Sequence, residues 1–164
     1  MLHLICGSTG AGKTTYALRL TEETGGVRFS IDEWMTTLFW KDSPQPVEFA
    51  WAIERVIRCE TQIFAVARQL AERSTDAILD LGFTTSEQRD RIAAMADRAG
   101  LPVTLHFIDI DAEERWRRVQ SRNAARGETY AMQVDRRMFD FREALWEPPT
   151  ADEMARLNGI RVGA

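Results

Sequence analysis

Short apolar runs alternate along the chain with longer segments in which apolar residues recur every three or four positions. Strands are predicted at LHLIC, GVRFS, DAILDL and PVTLHFID, and a weaker fifth strand at RLNGIRV. Helices are predicted near residues 12–23, 47–73, 85–99, 111–124 and 130–145. Brief, almost continuously apolar strands between helices are typical of a parallel sheet that helices cover on both faces. The pattern therefore predicts an α/β fold with four to five strands.

Length and composition narrow the class of protein. The 164 residues predict one domain over residues 1–164, because soluble domains commonly contain roughly 100 to 200 residues. The net charge of −4 argues against nucleic acid as a partner, since nucleic-acid-coating proteins carry a basic face. Cys6 and Cys59 are expected to be reduced thiols in a cytoplasmic protein. No stretch approaches the roughly 20 apolar residues of a membrane span, so we expect no membrane partner. We expect the protein to be a monomer or a small homo-oligomer.

The segment GSTGAGKT, from Gly7 to Thr14, is the strongest motif in the sequence. It fits the pattern G-x-x-x-x-G-K-[ST] at every fixed position and lies between a predicted strand and a predicted helix. Its small residues let backbone amides turn towards phosphate oxygens, and the helix start adds the positive end of its dipole. We expect Lys13 to reach the terminal phosphates of ATP and the Thr14 hydroxyl to hold Mg²⁺. The predicted ATP-binding residues of this cradle are Gly10, Ala11, Gly12, Lys13, Thr14 and Thr15.

Two acids follow predicted strands, at the sheet edge where parallel sheets bind ligands. Asp32 comes after RFS, and Asp80 ends AILD. Asp32 can accept the proton of an attacking hydroxyl or orient that hydroxyl, whereas the alternative is a helix N-cap, a role that Ser30 could also fill. Asp80 can support Mg²⁺ together with Thr14, whereas the alternative is a plain turn at Asp80 and Gly82. We predict the catalytic role for Asp32 and the metal-binding role for Asp80.

Four arginines share one face of the helix that follows the fourth strand. They are Arg115, Arg118, Arg122 and Arg126. Acids one helical turn earlier predict the ion pairs Asp111–Arg115, Glu113–Arg117 and Glu114–Arg118. These pairs account for the first half of the arginine face as ordinary surface charge.

The second half of this face is predicted to bind phosphate. Arg122 and Arg126 have no acid one turn before them, and Gly127 follows as a hinge. A corner of this kind can close over a nucleotide and neutralise the charge on a transferred phosphoryl group. We predict a lid over about residues 118–131, with Arg122 and Arg126 catalytic and Arg118 and Arg122 in contact with the nucleotide. Surface charge is the alternative.

The segment after the second strand contains more aromatic side chains than a connection needs. Aromatic walls with a few polar groups are typical of small-molecule pockets. Core packing is the favoured interpretation for Trp51, and both interpretations stay open for Trp34 and Trp40. Glu60 falls within an apolar stripe of the helix predicted at 47–73, where a carboxylate needs a partner. An arginine from another helix is the favoured partner, and contact with an acceptor is the alternative.

The cradle, together with SIDEW, LDLGF and SRNAARG, resembles the small P-loop kinases of the nucleoside-monophosphate-kinase-like group. The chain looks most similar to the branch with bacteriophage polynucleotide kinase, chloramphenicol phosphotransferase and many predicted bacterial kinases of the AAA type. The resemblance implies a three-layer P-loop NTPase fold with a short helical lid, and adenine packing near the lid helix and the C-terminal segment. It also implies ATP and Mg²⁺ on Lys13 and Thr14, Asp32 as general base, and Arg122 and Arg126 in the lid.

These observations predict that the chain moves the γ-phosphate of ATP to a hydroxyl of a small-molecule acceptor. One alternative is an ATP-hydrolysing switch protein, which usually needs a second domain or ring neighbours. The other is a 5′-hydroxyl polynucleotide kinase. Polynucleotide kinases carry a phosphate-gripping arginine three residues after the base, whereas this chain has Met35 there. The sequence leaves the identity of the acceptor open.

Overall fold

The computed structural model describes residues 1–125 and 133–163, and that part of the chain forms five strands, seven α-helices and one turn of 3₁₀ helix at Trp40–Asp42. The strands are β1 (Leu2–Cys6), β2 (Val27–Ser30), β3 (Ala77–Asp80), β4 (Val103–Ile108) and β5 (Ile160–Val162). The helices are α1 (Lys13–Thr24), α2 (Ile31–Phe39), α3 (Phe49–Ala71), α4 (Ser86–Arg98), α5 (Ala112–Ala125), α6 (Arg136–Ala144) and α7 (Ala151–Arg156). None of these helices combines the length and the apolar composition that crossing a lipid bilayer requires.

All five strands run parallel in one sheet of order β2-β3-β1-β4-β5. The four predicted strands and the weaker fifth strand are confirmed. β1 lies at the centre, where Leu4 is paired with Leu79 of β3 and Leu105 of β4, and all its residues are buried. The parallel order brings the carboxyl ends of β1, β2 and β3 to one edge. The cradle, Asp32 and Asp80 therefore meet there.

Helices cover the sheet on both faces, and strand residues alternate between two apolar clusters. The larger cluster joins β1, β3 and β4 to α3 and α4, and it includes Leu4, Ile63 and Ile92. The smaller cluster joins the opposite face to α1 and includes Ile5 and Leu20. Each cluster stabilises the fold by removing apolar surface from water, at roughly 25 cal/mol per Å². The predicted three-layer α/β fold is confirmed.

The five predicted helix positions omit two short helices, α2 and α7, and misplace the start of another. α7 has only six residues, too few to show a helical period. It begins after Thr150, whose hydroxyl accepts a hydrogen bond from the amide of Glu153. α6 was expected to begin near residue 130, but residues 133–135 are not helical. The Asp135 side chain caps this helix by accepting from the Met138 amide at 2.8 Å.

Candidate active site

Two glycines with left-handed backbone shape the cradle between β1 and α1. Gly10 has φ 82° and Gly12 has φ 92°, a region that is costly for residues with a side chain. A side chain at Gly10 would also stand 2.6 Å from the Arg115 carbonyl of α5, so only glycine lets α5 pack this closely. Gly12 is the N-cap of α1 and supplies no side-chain cap. The first-turn amides are therefore available to phosphate oxygens.

Lys13 begins α1, and its ammonium group donates a hydrogen bond to the carbonyl of Ser8 at 3.1 Å. Burial lowers the pKa of Lys13, the charges of Asp80 and Asp32 oppose that shift, and the charge of Arg142 adds to it. These electrostatic contacts join three predicted site residues at one place. A bound polyphosphate would relieve the depressed pKa, because it supplies the missing negative charge.

Asp32 is the second residue of α2, and Ser30 caps that helix. The Ser30 hydroxyl accepts from the amide of Glu33 at 3.3 Å, so the alternative that Asp32 is the cap is wrong. Asp32 is exposed and lines the same cavity as Lys13. Among the described residues, no hydrogen bond or ion pair engages its carboxylate. Asp32 is thus available to a ligand.

Asp80 ends β3 and is buried, and Arg28 of β2 binds one of its oxygens. Arg28 donates to Oδ2 from Nε at 3.2 Å and from a terminal nitrogen at 2.9 Å. It also donates to Glu33 of α2 at 2.7 Å. Asp80 lines the cavity together with Thr14. Sequence reasoning missed Arg28, although a charged side chain within the short strand VRFS signals a need for a buried partner.

The arginine face of α5 reaches the cavity through Arg118 and Arg122, which both line it. A guanidinium nitrogen of Arg118 lies 4.0 Å from the point where a side chain on Gly12 would begin. Arg126 and Gly127, the predicted second catalytic arginine and hinge, lie outside the described residues. The structure therefore leaves their roles as predictions.

The predicted ion pairs along α5 are partly correct. Arg118 donates to Glu114 at 2.9 Å, as predicted. Arg117 pairs with Glu114 at 2.9 Å rather than with Glu113. Glu114 thus holds two arginines, which leaves the predicted Glu113–Arg117 pair wrong.

A clamp of Arg115 and Glu143 joins α5, α6 and the cradle. Arg115 is 5% exposed, and two of its nitrogens donate to Glu143 at 2.5 and 2.8 Å. Glu143 also accepts from the Ser8 hydroxyl at 3.0 Å, and Arg115 donates to the Thr9 carbonyl at 3.3 Å. The hydrogen bonds from Arg115 hold the pKa of Glu143 below its usual value. The predicted Asp111–Arg115 pair is wrong, because Asp111 caps α5 instead.

One cavity of about 1380 Å³ connects the cradle, Asp32, Asp80 and the two arginines Arg118 and Arg122. Ligand pockets commonly measure roughly 300 to 1,000 Å³, so the space exceeds the needs of one nucleotide. One end is lined by the predicted nucleotide-binding residues Gly10, Ala11, Gly12, Lys13, Thr14, Thr15, Arg118 and Arg122. The other end is lined by a surface that we call the α2–α3 wall. It consists of Met35, Trp40, Phe49, Trp51, Ile53 and Ile57.

The three tryptophans of this region have different environments. Trp34 packs edge-on against Phe29, with 6.3 Å between ring centroids, and contacts the larger core cluster. Trp40 is exposed in the α2–α3 wall. The core interpretation of Trp51 is wrong, because the buried α3 members of the core begin only at Cys59. The ring of Trp51 lines the cavity and carries the Arg55 guanidinium 4.0 Å from its centroid.

Glu60 has the partner that the sequence favours. It is 2% exposed and accepts hydrogen bonds from Gln88 at 2.6 Å and from Arg91 of α4. The prediction of an arginine from another helix is therefore confirmed. The side chain of Gln88 also accepts from the Thr84 amide at 3.1 Å. The cavity is lined by Gln88, Arg91 and Thr84. Glu60 therefore does not line the cavity itself but positions side chains that do.

A chain of polar side chains crosses the sheet and ends on α1. His3 and His106 share a hydrogen bond of 2.9 Å, and His106 bonds the Tyr16 hydroxyl at 2.8 Å. The second ring nitrogen of His3 lies 3.2 Å from Asp76. Burial lowers the pKa of His106 to about 4, and the charge of His3 acts in the same direction. Both histidines are satisfied residues of the sheet.

The chain is similar to known proteins over most of its length. A family profile described as an AAA domain matches residues 2–149, whereas the comparison with curated proteins gave no match. Kti12 of Chaetomium thermophilum, in complex with ADP-AlF3, aligns with a TM-score of 0.73 and 19% identity over 99% of this chain and 89% of that chain.

Two further solved structures align over nearly the whole chain. A sugar kinase from Janibacter sp. has a TM-score of 0.60 and 19% identity, covering 99% of this chain and 84% of that chain. The APS kinase CysC of Mycobacterium tuberculosis, in complex with AMPPNP and APS, has a TM-score of 0.62 and 18% identity, covering 98% and 87%. At these identities the likeness establishes a shared fold, which is the α/β P-loop NTPase fold.

Proposed function

We propose that this chain, which belongs to the AAA domain family, transfers the γ-phosphate of ATP to a hydroxyl group of a small molecule. The observation that carries the proposal is the shared cavity, in which the cradle, Asp32 and the α2–α3 wall line one continuous space. A protein that only hydrolyses ATP needs the nucleotide end alone. A phosphotransferase needs room for a second reactant beside the catalytic carboxylate, and this cavity offers that room.

In the proposed reaction the acceptor oxygen attacks the γ-phosphorus of ATP. A new oxygen–phosphorus bond forms, the bond from the γ-phosphorus to the β–γ bridging oxygen breaks, and ADP leaves. The hydroxyl proton passes to the carboxylate of Asp32. Lys13 and Arg122 offset the charge that spreads over the phosphate oxygens. Arg126, outside the described residues, is proposed to do the same.

Magnesium fits the donor groups in the first turn of α1 and at the end of β3. Mg²⁺ prefers oxygen ligands, keeps several waters and usually takes one or two protein ligands beside the phosphates. The Thr14 hydroxyl and the Asp80 carboxylate provide such oxygens. Because Arg28 binds Oδ2 of Asp80, we propose Thr14 as the direct ligand and Oδ1 of Asp80 as a partner through water. The ion would supply charge neutralisation at the β- and γ-phosphates.

The substitution Asp32→Asn tests the proposal. It keeps the shape of the side chain and removes its ability to accept a proton, so we expect labelled phosphate transfer to fall by about 10²- to 10⁴-fold. ATP binding, measured by calorimetry, should change less than threefold, since the cradle is intact. Asp42→Asn is the matched control, because Asp42 is an exposed carboxylate just after α2 that does not line the cavity.

The assay uses γ-labelled ATP with fractionated metabolite extract as the source of acceptors, and chromatography to find labelled products. Full transfer by Asp32→Asn would refute the base assignment. ATP hydrolysis that a protein partner stimulates, with label recovered only as inorganic phosphate, would favour the switch. Label on an added 5′-hydroxyl oligonucleotide would favour the polynucleotide kinase.

A further inference from the structure

The charges of the cavity are divided between its two sides. The cationic side chains that line it from α1, α5 and α6 are Lys13, Arg19, Arg118, Arg122 and Arg142. On the side of α2 and α4 the lining includes two acids, Asp32 and Glu87, and among the described residues one arginine, Arg91. The positive charge is therefore concentrated where the nucleotide is proposed to bind.

Arg91 is already committed to a buried acid. Its guanidinium bonds Glu60, which is almost inaccessible to water and holds Gln88 with its other oxygen. Arg91 is 37% exposed and bonds Glu60 through one terminal nitrogen, so this buried carboxylate offsets its charge. Asp32 and Glu87 therefore leave this side of the cavity with a net negative charge among the described lining residues, which repels a phosphate or carboxylate on the acceptor.

The α2–α3 wall itself is apolar and uncovered. Every cavity-lining residue between positions 33 and 79 is uncharged. Phe49 is 69% exposed, Trp40 59% and Ile57 43%. Exposed apolar side chains that gather at one place usually mark a binding surface.

The wall continues the core stripe of α3. Phe49, Ile53 and Ile57 lie on the same helical face as Ile63 and Phe64, which are buried. The last turns of the stripe pack on the sheet, whereas the first turns face the cavity. The wall meets the cavity of Asp32 and the cradle, so its occupant would lie beside the proposed base.

We infer that the acceptor is an uncharged alcohol with an apolar body, which rests on the α2–α3 wall and turns its hydroxyl towards Asp32. Acceptors that carry phosphate, sulfate or carboxylate are disfavoured by the net negative charge that Asp32 and Glu87 give to this side of the cavity. This inference deepens the proposed function and rests on it for the reaction. Binding to the wall can be measured without any reaction.

The test compares three alcohols by calorimetry against the ADP complex of the full chain. Naphthylmethanol has an apolar body, hydroxymethylnaphthoate adds a carboxylate to the same ring system, and glycerol has no apolar body. We expect naphthylmethanol to bind at least about tenfold more tightly than either of the others, as burial of a ring-sized apolar surface allows. Phe49→Ala should weaken it about tenfold. Leu38→Ala should not, because Leu38 is an exposed residue of α2 outside the cavity.

The outcomes separate this inference from the proposed function. Equal or tighter binding of the carboxylate, or of glycerol, overturns the inference and leaves phosphate transfer intact. Loss of a dimer in Phe49→Ala, seen by sedimentation, also overturns it, since the wall would then bind a second copy. Binding of naphthylmethanol that Phe49→Ala weakens supports the α2–α3 wall as the site of an uncharged apolar alcohol. If labelled ATP then yields no product, the proposed transfer fails while this assignment of the wall stands.

Discussion

Replacement of Glu143 by glutamine removes the negative charge of the Arg115–Glu143 clamp while keeping its shape. Arg115 would then keep its positive charge while buried, with the carbonyls of Ile110 and Thr9 and one amide oxygen as acceptors. Ser8 would keep a hydrogen-bond acceptor of similar geometry. The change therefore isolates the charge of the clamp from its packing.

The expected loss of stability follows from burial. Removal of one partner from a buried ion pair costs about 3–5 kcal/mol. The Glu143 side chain is 33% exposed, and Arg115 retains carbonyl partners, so water and the new amide recover part of that loss. We expect the free energy of unfolding to fall by about 1–3 kcal/mol. At roughly 2–4 °C per kcal/mol for a chain of this size, Tm should fall by about 2–12 °C.

The matched control lies one turn away on the same helix. Asp140→Asn makes the same chemical change at an exposed carboxylate that pairs with Arg136, and exposed pairs contribute only about 0–1 kcal/mol. Urea unfolding gives both free energies.

The pH dependence gives a second check. The pKa of Glu143 lies below its usual 4.5 in the fold because of Arg115, so its contribution is complete above about 4.5 and disappears as pH falls through the lowered value. The stability difference between the native chain and Glu143→Gln should shrink over that range. Equal stability of Glu143→Gln and Asp140→Asn at neutral pH would refute the reasoning.

Two further predictions concern the cradle and the sheet. Gly10→Ala should lower the free energy of unfolding by about 2 kcal/mol, because the new side chain meets the Arg115 carbonyl and the residue has a left-handed φ. Gly100 also has a positive φ but has open space around it, so Gly100→Ala should cost about 1 kcal/mol in the same urea unfolding experiment. Equal costs would contradict the close approach of α5. His106 has its pKa lowered to about 4 from 6.5, so the native chain should lose stability as pH falls from about 6.5 to about 4. His106→Gln should make the free energy of unfolding depend less on pH between about 4 and 6.5. An unchanged dependence would contradict the assignment of this pH effect to His106.

The elements of the fold could be predicted because their signals are local. β1, β3 and β4 are almost continuously apolar, as strands covered on both faces must be. The sheet order and register depend on distant pairings such as Leu4 with Leu79 and Leu105, which no local pattern encodes. α7 was not predicted because a distant contact also holds it in place: its Glu153 accepts hydrogen bonds from the buried Arg89 of α4 at 2.5 and 3.0 Å.

The cradle could be read from sequence because its chemistry lies within eight consecutive residues. The charged partners of the site could not, because their contacts join distant elements. The rule of one helical turn assigned Arg115 to Asp111, but Asp111 satisfies two amides of its own helix. Arg115 instead pairs with Glu143, which accepts two charge-assisted hydrogen bonds from its guanidinium. Arg28 was missed because its partner Asp80 lies on the neighbouring strand.

The stripe of α3 shows why periodicity cannot separate a core from a pocket. A position that faces the sheet and a position that faces an apolar ligand both favour large apolar side chains. Phe49 and Ile63 therefore read alike in the sequence, although one is exposed and the other fully buried. Only the place where the covering sheet ends distinguishes them, and that is a property of the assembled fold.

Helix α2 links the proposed chemistry to the proposed recognition. It begins at the carboxyl end of β2 and carries Asp32 in its first turn and Met35 of the wall one turn later. Arg28 fixes the start of α2, because it bonds both Glu33 and Asp80. The proposed base, the acid proposed to support the metal and the first residue of the wall are thereby tied to one another through a single guanidinium. An acceptor that rests on the wall would be aligned with Asp32 by the helix itself, which is the positioning that phosphoryl transfer demands.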